Sequence, residues 1–227
     1  MLGAEEAFIS GQRAKHLEQV LAIQPGARLK AGVLNGLIGE AEVLAEENSG
    51  YRLRFICNQP PPEPLPLILI LALPRPKMLR RLLQMVAGLG AKSIYLLNSY
   101  RVEKSYWSSP WLQEQAIREQ LMLGLMQARD TMLPTVELRS RFRPFIEDEL
   151  PHLLAGRTGW VAHPGSRERV PVGWNAPSVL ALGPEGGFIP FEIDLMAAQG
   201  MRAINMGPRI LRVEWAVNSL VARMFTL

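Results

Sequence analysis

The stretch Val179-Leu180-Ala181-Leu182-Gly183-Pro184-Glu185-Gly186-Gly187-Phe188 decides the fold of this chain. Its four apolar residues are typical of a buried strand, and the glycines after them indicate a tight turn that lets a ligand approach the main chain closely. The proline stiffens this turn. An ordinary strand-to-helix turn would explain the stretch equally well if it stood alone.

A second apolar run ends in a similar turn, Met206-Gly207-Pro208-Arg209-Ile210-Leu211-Arg212-Val213-Glu214. Arg209 and Arg212 are three residues apart, so they lie near each other if the segment turns into a helix. Guanidinium groups bind phosphates or developing oxyanions, and a nearby carboxylate such as Glu214 can orient them. A structural salt bridge at the start of a helix is the alternative interpretation.

Strand and helix patterns alternate from residue 63 onwards. This alternation predicts a mostly parallel sheet with helices on both faces, in which ligands bind at the carboxyl ends of the strands. Both glycine turns follow such ends. The predicted strands cover residues 67–73, 94–97, 135–138, 160–163, 179–182 and 203–206, and the predicted helices cover 77–89, 111–127, 191–199 and 212–224.

The proline-rich run at residues 59–64 predicts a domain boundary, because its imide nitrogens exclude a helix or a central strand. Before it, short alternating segments at 31–34 and 39–43 are separated by the turn signals Asn35-Gly36 and Asn48-Ser49-Gly50. This pattern predicts a small β-barrel. A helix is predicted at 12–21, with Ser10 as its cap.

The charge of the chain is unevenly distributed along its 227 residues, whose net charge is +4. Residues 75–104 contain seven Lys or Arg and a single acid, Glu103. Clustered cations attract phosphate backbones, which makes nucleic acid a candidate partner, although a solvated helix face explains the charges as well. Tyr100, Tyr106, Trp107 and Trp111 lie in or just after this region, and they are candidates either for stacking on bases or for core or dimer packing.

Other features narrow the class of protein. The longest aliphatic run, at 65–73, is too short to span a bilayer, and the acidic start lacks the pattern of a secretory signal. A single cysteine, Cys57, excludes an intrachain disulfide, and we expect a cytoplasmic protein. The histidines His16, His152 and His163 lie far apart without cysteine or carboxylate at metal-binding spacing, so no metal site is expected.

The two glycine motifs, at this separation, resemble those of the RsmE family of ribosomal small-subunit RNA uridine-N3 methyltransferases. The resemblance extends over most of the chain. Residues 14–36 resemble the PUA-like barrel of that family, and residues 76–90 resemble the first helix of its catalytic domain.

This resemblance implies an α/β protein with two domains. Residues 1–62 would form a PUA-like RNA-binding β-barrel, and residues 63–227 a SPOUT methyltransferase domain with a deep trefoil knot. S-adenosyl-L-methionine would bind within the knot, the enzyme would be a homodimer, and the substrate would be a uridine of 16S rRNA or of the assembled small subunit. The implied cofactor-binding residues are Leu182, Gly183, Gly187, Met206, Gly207, Ile210 and Leu211.

The resemblance also assigns roles to charged residues. When N3 of uracil loses its proton, negative charge spreads over the ring, and Arg212 or Arg209 would stabilise that charge. Glu214 would either orient the arginine or accept a proton. The residues implied to hold the RNA backbone are Lys77, Arg80, Arg81, Arg101 and Lys104.

The chain departs from the family at several positions. Trp215 stands where a threonine or another small residue is usual, and we expect it to crowd the cofactor pocket. Gly88 and Met126 replace common glutamates, and the first strand of the family begins several residues earlier, which predicts a divergent or truncated member. Two other functions compete: a non-catalytic RNA-binding relative, and a SPOUT methyltransferase that modifies another RNA position. A nicotinamide-dependent enzyme is disfavoured, because no dinucleotide fingerprint follows a strand.

Overall fold

The computed structural model of the protein describes residues 5–19 and 22–227. The chain forms two compact units, one of Met1–Pro62 with Arg129–Met132 and the other of Glu63–Ala128 with Leu133–Leu227. Nothing in the sequence predicts the return of residues 129–132 to the first unit. Within that unit the hydroxyl of Thr131 donates to the carbonyl of Gly36 at 2.5 Å, and the N–H of Asn35 donates to the carbonyl of Thr131 at 2.8 Å.

The first unit is an antiparallel sheet with one helix, which agrees with the predicted PUA-like barrel. Its strands are ordered β1-β4-β3-β2, and in the described residues the two outer strands do not pair with each other. The predicted helix is present, although residues 20 and 21 at its expected end lie outside the described residues. The elements are β1 (Glu5–Ser10), α1 (Gly11–Gln19), β2 (Arg28–Gly32), β3 (Ile38–Glu47) and β4 (Gly50–Gln59).

The core of this unit follows from the alternation in β3, whose inward residues Ala41 and Val43 are almost fully buried. They pack with Leu53 of β4 and with Leu17 of α1. The predicted segment at 31–34 is a strand only as far as residue 32. The chain turns there, because Asn35 has a positive φ of 58° and the N–H of the next residue bonds back across the turn.

The second unit contains the predicted parallel sheet, with strand order β7-β6-β5-β10-β8-β11-β9. All six predicted strands and all four predicted helices are present, with ends shifted by a few residues. No helix in the described part of the chain is long and apolar enough to cross a membrane. The strands are β5 (Leu67–Ala72), β6 (Ser93–Leu97), β7 (Thr135–Arg139), β8 (Thr158–Ala162), β9 (Glu168–Arg169), β10 (Ser178–Leu182) and β11 (Arg202–Asn205), and the helices discussed below are α2 (Pro76–Gly88), α3 (Glu114–Ala128), α6 (Pro190–Ala198) and α7 (Val213–Met224).

A helical segment between β7 and β8 was not predicted. It consists of α4 (Phe142–Pro144), a π-helical turn (Phe145–Glu149) and α5 (Leu150–Leu154). Prolines at 144 and 151 disrupt the periodic pattern that would reveal it, yet Phe145, Ile146 and Leu150 are buried. Burial of these apolar side chains offsets the poor local helix propensity.

The segment between β8 and β10 takes an unusual path. It pairs with the outer edge of β11 through β9, and the N–H of Gly173 then donates to the carbonyl of Arg223 at 2.8 Å, at the end of α7. Asn175 continues this contact, with its side-chain oxygen accepting from the N–H of Thr226 at 2.8 Å. The chain then returns to form β10 between β5 and β8. These contacts place residues 168–175 against β11 and the end of α7, and the trefoil knot stays a prediction.

The contact between α2 and α3 provides a test of the packing. A Cβ at Gly124 in α3 would lie 2.1 Å from the carbonyl oxygen of Gln84 in α2, so the helices would have to separate. We expect Gly124→Ala to lower the free energy of unfolding by about 1–3 kcal/mol, although alanine favours a helix. Urea denaturation measures the change.

Gly88→Ala, on the facing helix, is the matched control. A Cβ at Gly88 would meet its nearest neighbours only at 3.5 and 3.7 Å, which is ordinary contact. This variant should leave stability unchanged or raise it by up to about 1 kcal/mol. Equal effects of the two substitutions would show that the helix contact at Gly124 is not close.

Candidate functional site

The register of the parallel sheet brings the two glycine motifs to the same level. Leu182, at the end of β10, and Ile204, in β11, both pair with Ala162 of β8, one from each side. Because β8 alone separates them, the segments that follow β10 and β11 leave the sheet about 10 Å apart. We call residues 183–189 the glycine loop and residues 206–212 the arginine segment.

The glycine loop is a tight turn that depends on its glycines. The N–H of Gly187 donates to the carbonyl of Pro184 at 2.8 Å, and Gly187 has a φ of +72°, which favours glycine. A Cβ at Gly183 would lie 2.8 Å from the nitrogen of Phe188, so there is no room for a side chain. A Cβ at Gly187 would meet no atom within 4 Å, so this side of the loop faces open space.

Side chains from the loop after β6 and the start of α2 hold the glycine loop in place. The guanidinium of Arg101 donates to the carbonyl of Gly186, and the aliphatic part of the same side chain lies against that glycine. Glu185 accepts a hydrogen bond from the N–H of Arg75 at 3.5 Å and lies 3.7 Å from its guanidinium. Phe188 packs its ring against that of Phe142, with 6.1 Å between the centroids.

A buried carboxylate connects the same two loops. Glu192, in the first turn of α6, is only 2% exposed. One of its oxygens accepts the N–H of Tyr100 at 2.7 Å, and the other accepts the N–H of Ile189 at 3.0 Å. Glu192 was not among the predicted site residues, although its spacing, a carboxylate three residues after a helix cap, is a signal that the sequence contains.

The arginine segment is held mainly by Asn205, which was not among the predicted site residues either. Its side-chain oxygen accepts the N–H of Gly207 at 2.9 Å, and its amide donates to the carbonyls of Ser166 and Glu168 at 2.7 and 2.9 Å. Gly207 has a φ of +129°. A Cβ at Gly207 would lie 3.2 Å from the guanidinium of Arg169, so a third arginine lies next to this segment.

The predicted catalytic residues sit where the arginine segment enters α7. Arg209 and Arg212 are exposed, and within the described residues neither forms an ion pair with Glu214 or another acid. The alternative interpretation, a structural salt bridge at the start of the helix, is therefore not observed in this part of the chain. Arg212 caps α7 without a side-chain hydrogen bond, so the first N–H groups of the helix have no side-chain acceptor there.

The side chain of Trp215 does not lie where it was expected. The buried face of α7 consists of Val213, Val217, Leu220, Val221 and Met224. Trp215 lies off that face and is 63% exposed. The exposure of this ring therefore gives no support to the prediction that it crowds the cofactor pocket.

The predicted cofactor-binding residues differ in exposure. Leu182 is buried at the end of β10, Met206 and Leu211 are half-buried, and the side chain of Ile210 is 83% exposed. Within residues 5–19 and 22–227, the N–H groups of Ile210 and Leu211 donate to no protein acceptor. Together with the two glycine turns, these N–H groups leave the main chain accessible at this surface.

The predicted RNA-binding residues are exposed and follow the carboxyl ends of β5 and β6. Lys77, Arg80 and Arg81 lie on α2, and the guanidinium of Arg80 stacks 4.0 Å over the ring of Trp111. Lys104 lies beyond Arg101, and its neighbour Glu103 is hydrogen-bonded to Tyr106. Burial is the main cause that raises the pKa of the Tyr106 hydroxyl, and the bond to Glu103 raises it further, so this phenol stays neutral.

The histidines form no metal centre in the described chain. His163 directly follows β8, between the glycine loop and the arginine segment, and its N–H donates to the carbonyl of Ile204 at 2.9 Å. The side chain of His16 lies outside the described residues. Among the residues that are described, no group of three or more His, Cys, Asp or Glu could hold a metal ion.

Comparison with known sequences finds relatives over most of the chain. A family model described as an RNA methyltransferase domain matches residues 61–224. Ribosomal RNA small subunit methyltransferase E of Treponema pallidum is 33% identical over 212 residues, which cover 88% of this chain and 77% of that protein.

Comparison with solved structures shows that the fold is shared. Ribosomal RNA small subunit methyltransferase E from Neisseria gonorrhoeae, in a crystal structure bound to S-adenosyl methionine, has a TM-score of 0.80 at 18% identity and covers 99% of this chain and 92% of that chain. A Legionella pneumophila methyltransferase in complex with the same cofactor has a TM-score of 0.73 at 19% identity, with 99% and 93% covered. Because the sequence matches extend over the glycine loop, the arginine segment and most of the remaining chain, this protein belongs to the RsmE family of RNA methyltransferases.

Proposed function

We propose that this protein transfers a methyl group from S-adenosyl-L-methionine to N3 of a uridine in 16S rRNA of the small ribosomal subunit. The proposal combines the family of the chain with one structural observation. Two glycine turns lie on either side of β8 at the same level of the sheet, and unpaired arginines follow the second turn. A site of accessible main chain beside cations suits a flat cofactor and an anionic substrate.

The main chain at this edge fits the proposed cofactor. The free N–H groups of Ile210 and Leu211 are donors for the acceptor nitrogens of an adenine, and the open side of Gly187 lets a ligand approach the main chain. Leu182, Gly183, Met206 and Gly207 would complete the binding surface. When bound, the cofactor supplies an activated methyl group on a sulfonium.

The arginines would stabilise the charge that develops on the substrate. Uracil N3 must lose its proton before it can attack the methyl group, and the resulting negative charge spreads to O2 and O4. A guanidinium aimed at one of these oxygens contributes roughly 3–4 kcal/mol to the reaction when it is well placed. Arg212 or Arg209 would supply it, because neither charge is neutralised by an acid in the described structure.

Glu214 is the proposed partner of these arginines in handling the proton. It is half-buried in the first turn of α7 and makes no ion pair with Arg209 or Arg212 among the described residues. Because no ion pair holds Glu214 to an arginine here, acceptance of a proton is favoured over orientation of the arginine.

The proposal also covers the binding partners of the protein and its location in the cell. Lys77, Arg80, Arg81, Arg101 and Lys104 would contact RNA phosphates, which are the natural ligands of exposed Lys and Arg. The substrate would be 16S rRNA or the assembled small subunit, the enzyme would act as a homodimer, and it would work in the cytoplasm.

Mass spectrometry of the methylated nucleoside tests the reaction directly. Small ribosomal subunits from a strain without the methyltransferase are incubated with the protein and S-adenosylmethionine, and the rRNA is digested. We expect N3-methyluridine at one position. A ribose 2′-O-methyl nucleoside would instead identify a methyltransferase for another atom, and tight RNA binding without methyl transfer would identify a non-catalytic relative.

Gly187 tests the cofactor site. Gly187→Ala and Gly156→Ala replace glycines with nearly equal φ, +72° and +71°, and neither new Cβ meets an atom within 4 Å. Both should lower the free energy of unfolding by about 1–2 kcal/mol. Only Gly187→Ala should raise the Kd for S-adenosylmethionine, by about tenfold or more, because its methyl group enters the ligand space.

Gly156 is a suitable control because it lies before β8, at the opposite edge of the sheet. Isothermal titration measures both affinities. If the two variants bind S-adenosylmethionine equally well, the cofactor does not contact the glycine loop.

Arg212 tests the proposed electrostatic catalysis. Arg212→Ala should lower kcat by about 10²–10³ and leave the affinity for S-adenosylmethionine nearly unchanged, because the guanidinium acts on the uracil ring. Arg223→Ala removes the same charge from the last turn of α7 and should leave kcat unchanged. Arg209→Ala is measured in parallel. An unaffected kcat in both Arg212→Ala and Arg209→Ala would exclude this mechanism.

A further inference from the structure

We propose that Tyr100 is a stacking platform for a base of the substrate RNA, beside the glycine loop. This inference rests on the proposed function, since it takes RNA as the substrate. The side chain of Tyr100 is 79% exposed, on the loop that follows the carboxyl end of β6. Its role in the fold does not explain this exposure, because the ring is not needed to fill the core.

The main chain that carries this ring is fixed at several points. The N–H of Tyr100 donates to the buried carboxylate of Glu192 at 2.7 Å. The turn around it is closed by the N–H of Val102, which donates to the carbonyl of Ser99 at 3.0 Å, and both of these residues are buried. A ring held on a rigid turn loses little conformational freedom when a base stacks on it.

The position of the turn places the ring near the proposed reaction. Arg101, the next residue, donates to the carbonyl of Gly186 and packs against that glycine. Glu192 binds the N–H of Tyr100 and the N–H of Ile189, which ends the glycine loop. Tyr100 is therefore connected through its own N–H to the loop that would hold the cofactor.

The charge around the ring favours nucleic acid as the ligand. The acids nearby are already engaged, since Glu192 binds two main-chain N–H groups, Glu185 pairs with Arg75, and Glu103 is hydrogen-bonded to Tyr106. Lys104 is exposed and has no ion pair among the described residues. An aromatic face beside uncompensated cations suits a base with its phosphate, and such stacking accepts any base because each has a π-face.

The test uses Tyr100→Ala, Tyr100→Phe and Tyr100→Leu with a single-stranded oligouridylate, whose affinity is measured over a range of salt concentrations. Tyr100→Ala should weaken binding by about 5- to 150-fold. Tyr100→Phe should bind like the natural chain, because it keeps the ring. The slope of log K against log salt concentration should not change in any of the three, because no charge is removed.

Tyr100→Leu separates stacking from simple apolar contact. It should bind the oligonucleotide about as poorly as the alanine variant, and a leucine variant that binds normally would overturn the proposal. Analytical ultracentrifugation provides a second check, because a loss of oligomers in Tyr100→Ala would show that the ring packs against a second copy of the chain instead.

The proposed function and this inference fail in different ways. All three variants should bind S-adenosylmethionine as the natural chain does, since each keeps the main-chain bond of residue 100 to Glu192 and changes only a largely exposed side chain. If the natural chain methylates no uridine, the proposed reaction is wrong, and the affinity ratio between Tyr100→Ala and the natural chain still tests the stacking role. Equal RNA affinity of these two proteins would refute it.

Discussion

The pairing of β10 on both of its sides is the constraint on which the rest of the site depends. All five residues of β10 are buried, and they pair in parallel with β5 on one side and β8 on the other. Since both faces of this parallel strand are buried, a shift of one residue would disrupt its side-chain packing on both faces. The same register determines where the glycine loop leaves the sheet, relative to β11 two strands away.

Two polar side chains hold the loops that follow these strands in fixed positions. Glu192 and Asn205 each bind main-chain groups of two different segments, and each replaces hydrogen bonds that the loops cannot make with one another. A buried carboxylate without a cation is costly in general. Glu192 is stabilised because both oxygens accept N–H groups and because it lies in the first turn of α6, where the helix dipole favours negative charge.

The arginines at the start of α7 contrast with this fully paired network. Arg209 and Arg212 remain exposed beside a third guanidinium, that of Arg169, near Gly207. None of the three forms an ion pair with an acid among the described residues, so this end of the sheet is favourable for an anion. Under the proposed function, that anion is the RNA and the charge that develops on uracil. The contacts of Glu192 and Arg101 would make the loop after β6, which carries Tyr100, and the glycine loop move together.

The sequence by itself determined the class of fold, the alternation of strands and helices and the two glycine motifs, because these depend on local periodicity and on residues with special backbone preferences. It failed at residues 142–154, where prolines disrupt the pattern, and at residues 129–132, whose place depends on Thr131 bonding to a distant turn. Only the tertiary structure decided that Trp215 faces outward, that Arg101 binds the glycine loop and that Glu192 connects two loops. These contacts join residues 85 and 92 positions apart or depend on which face of a helix packs inward, and neither is encoded in local sequence.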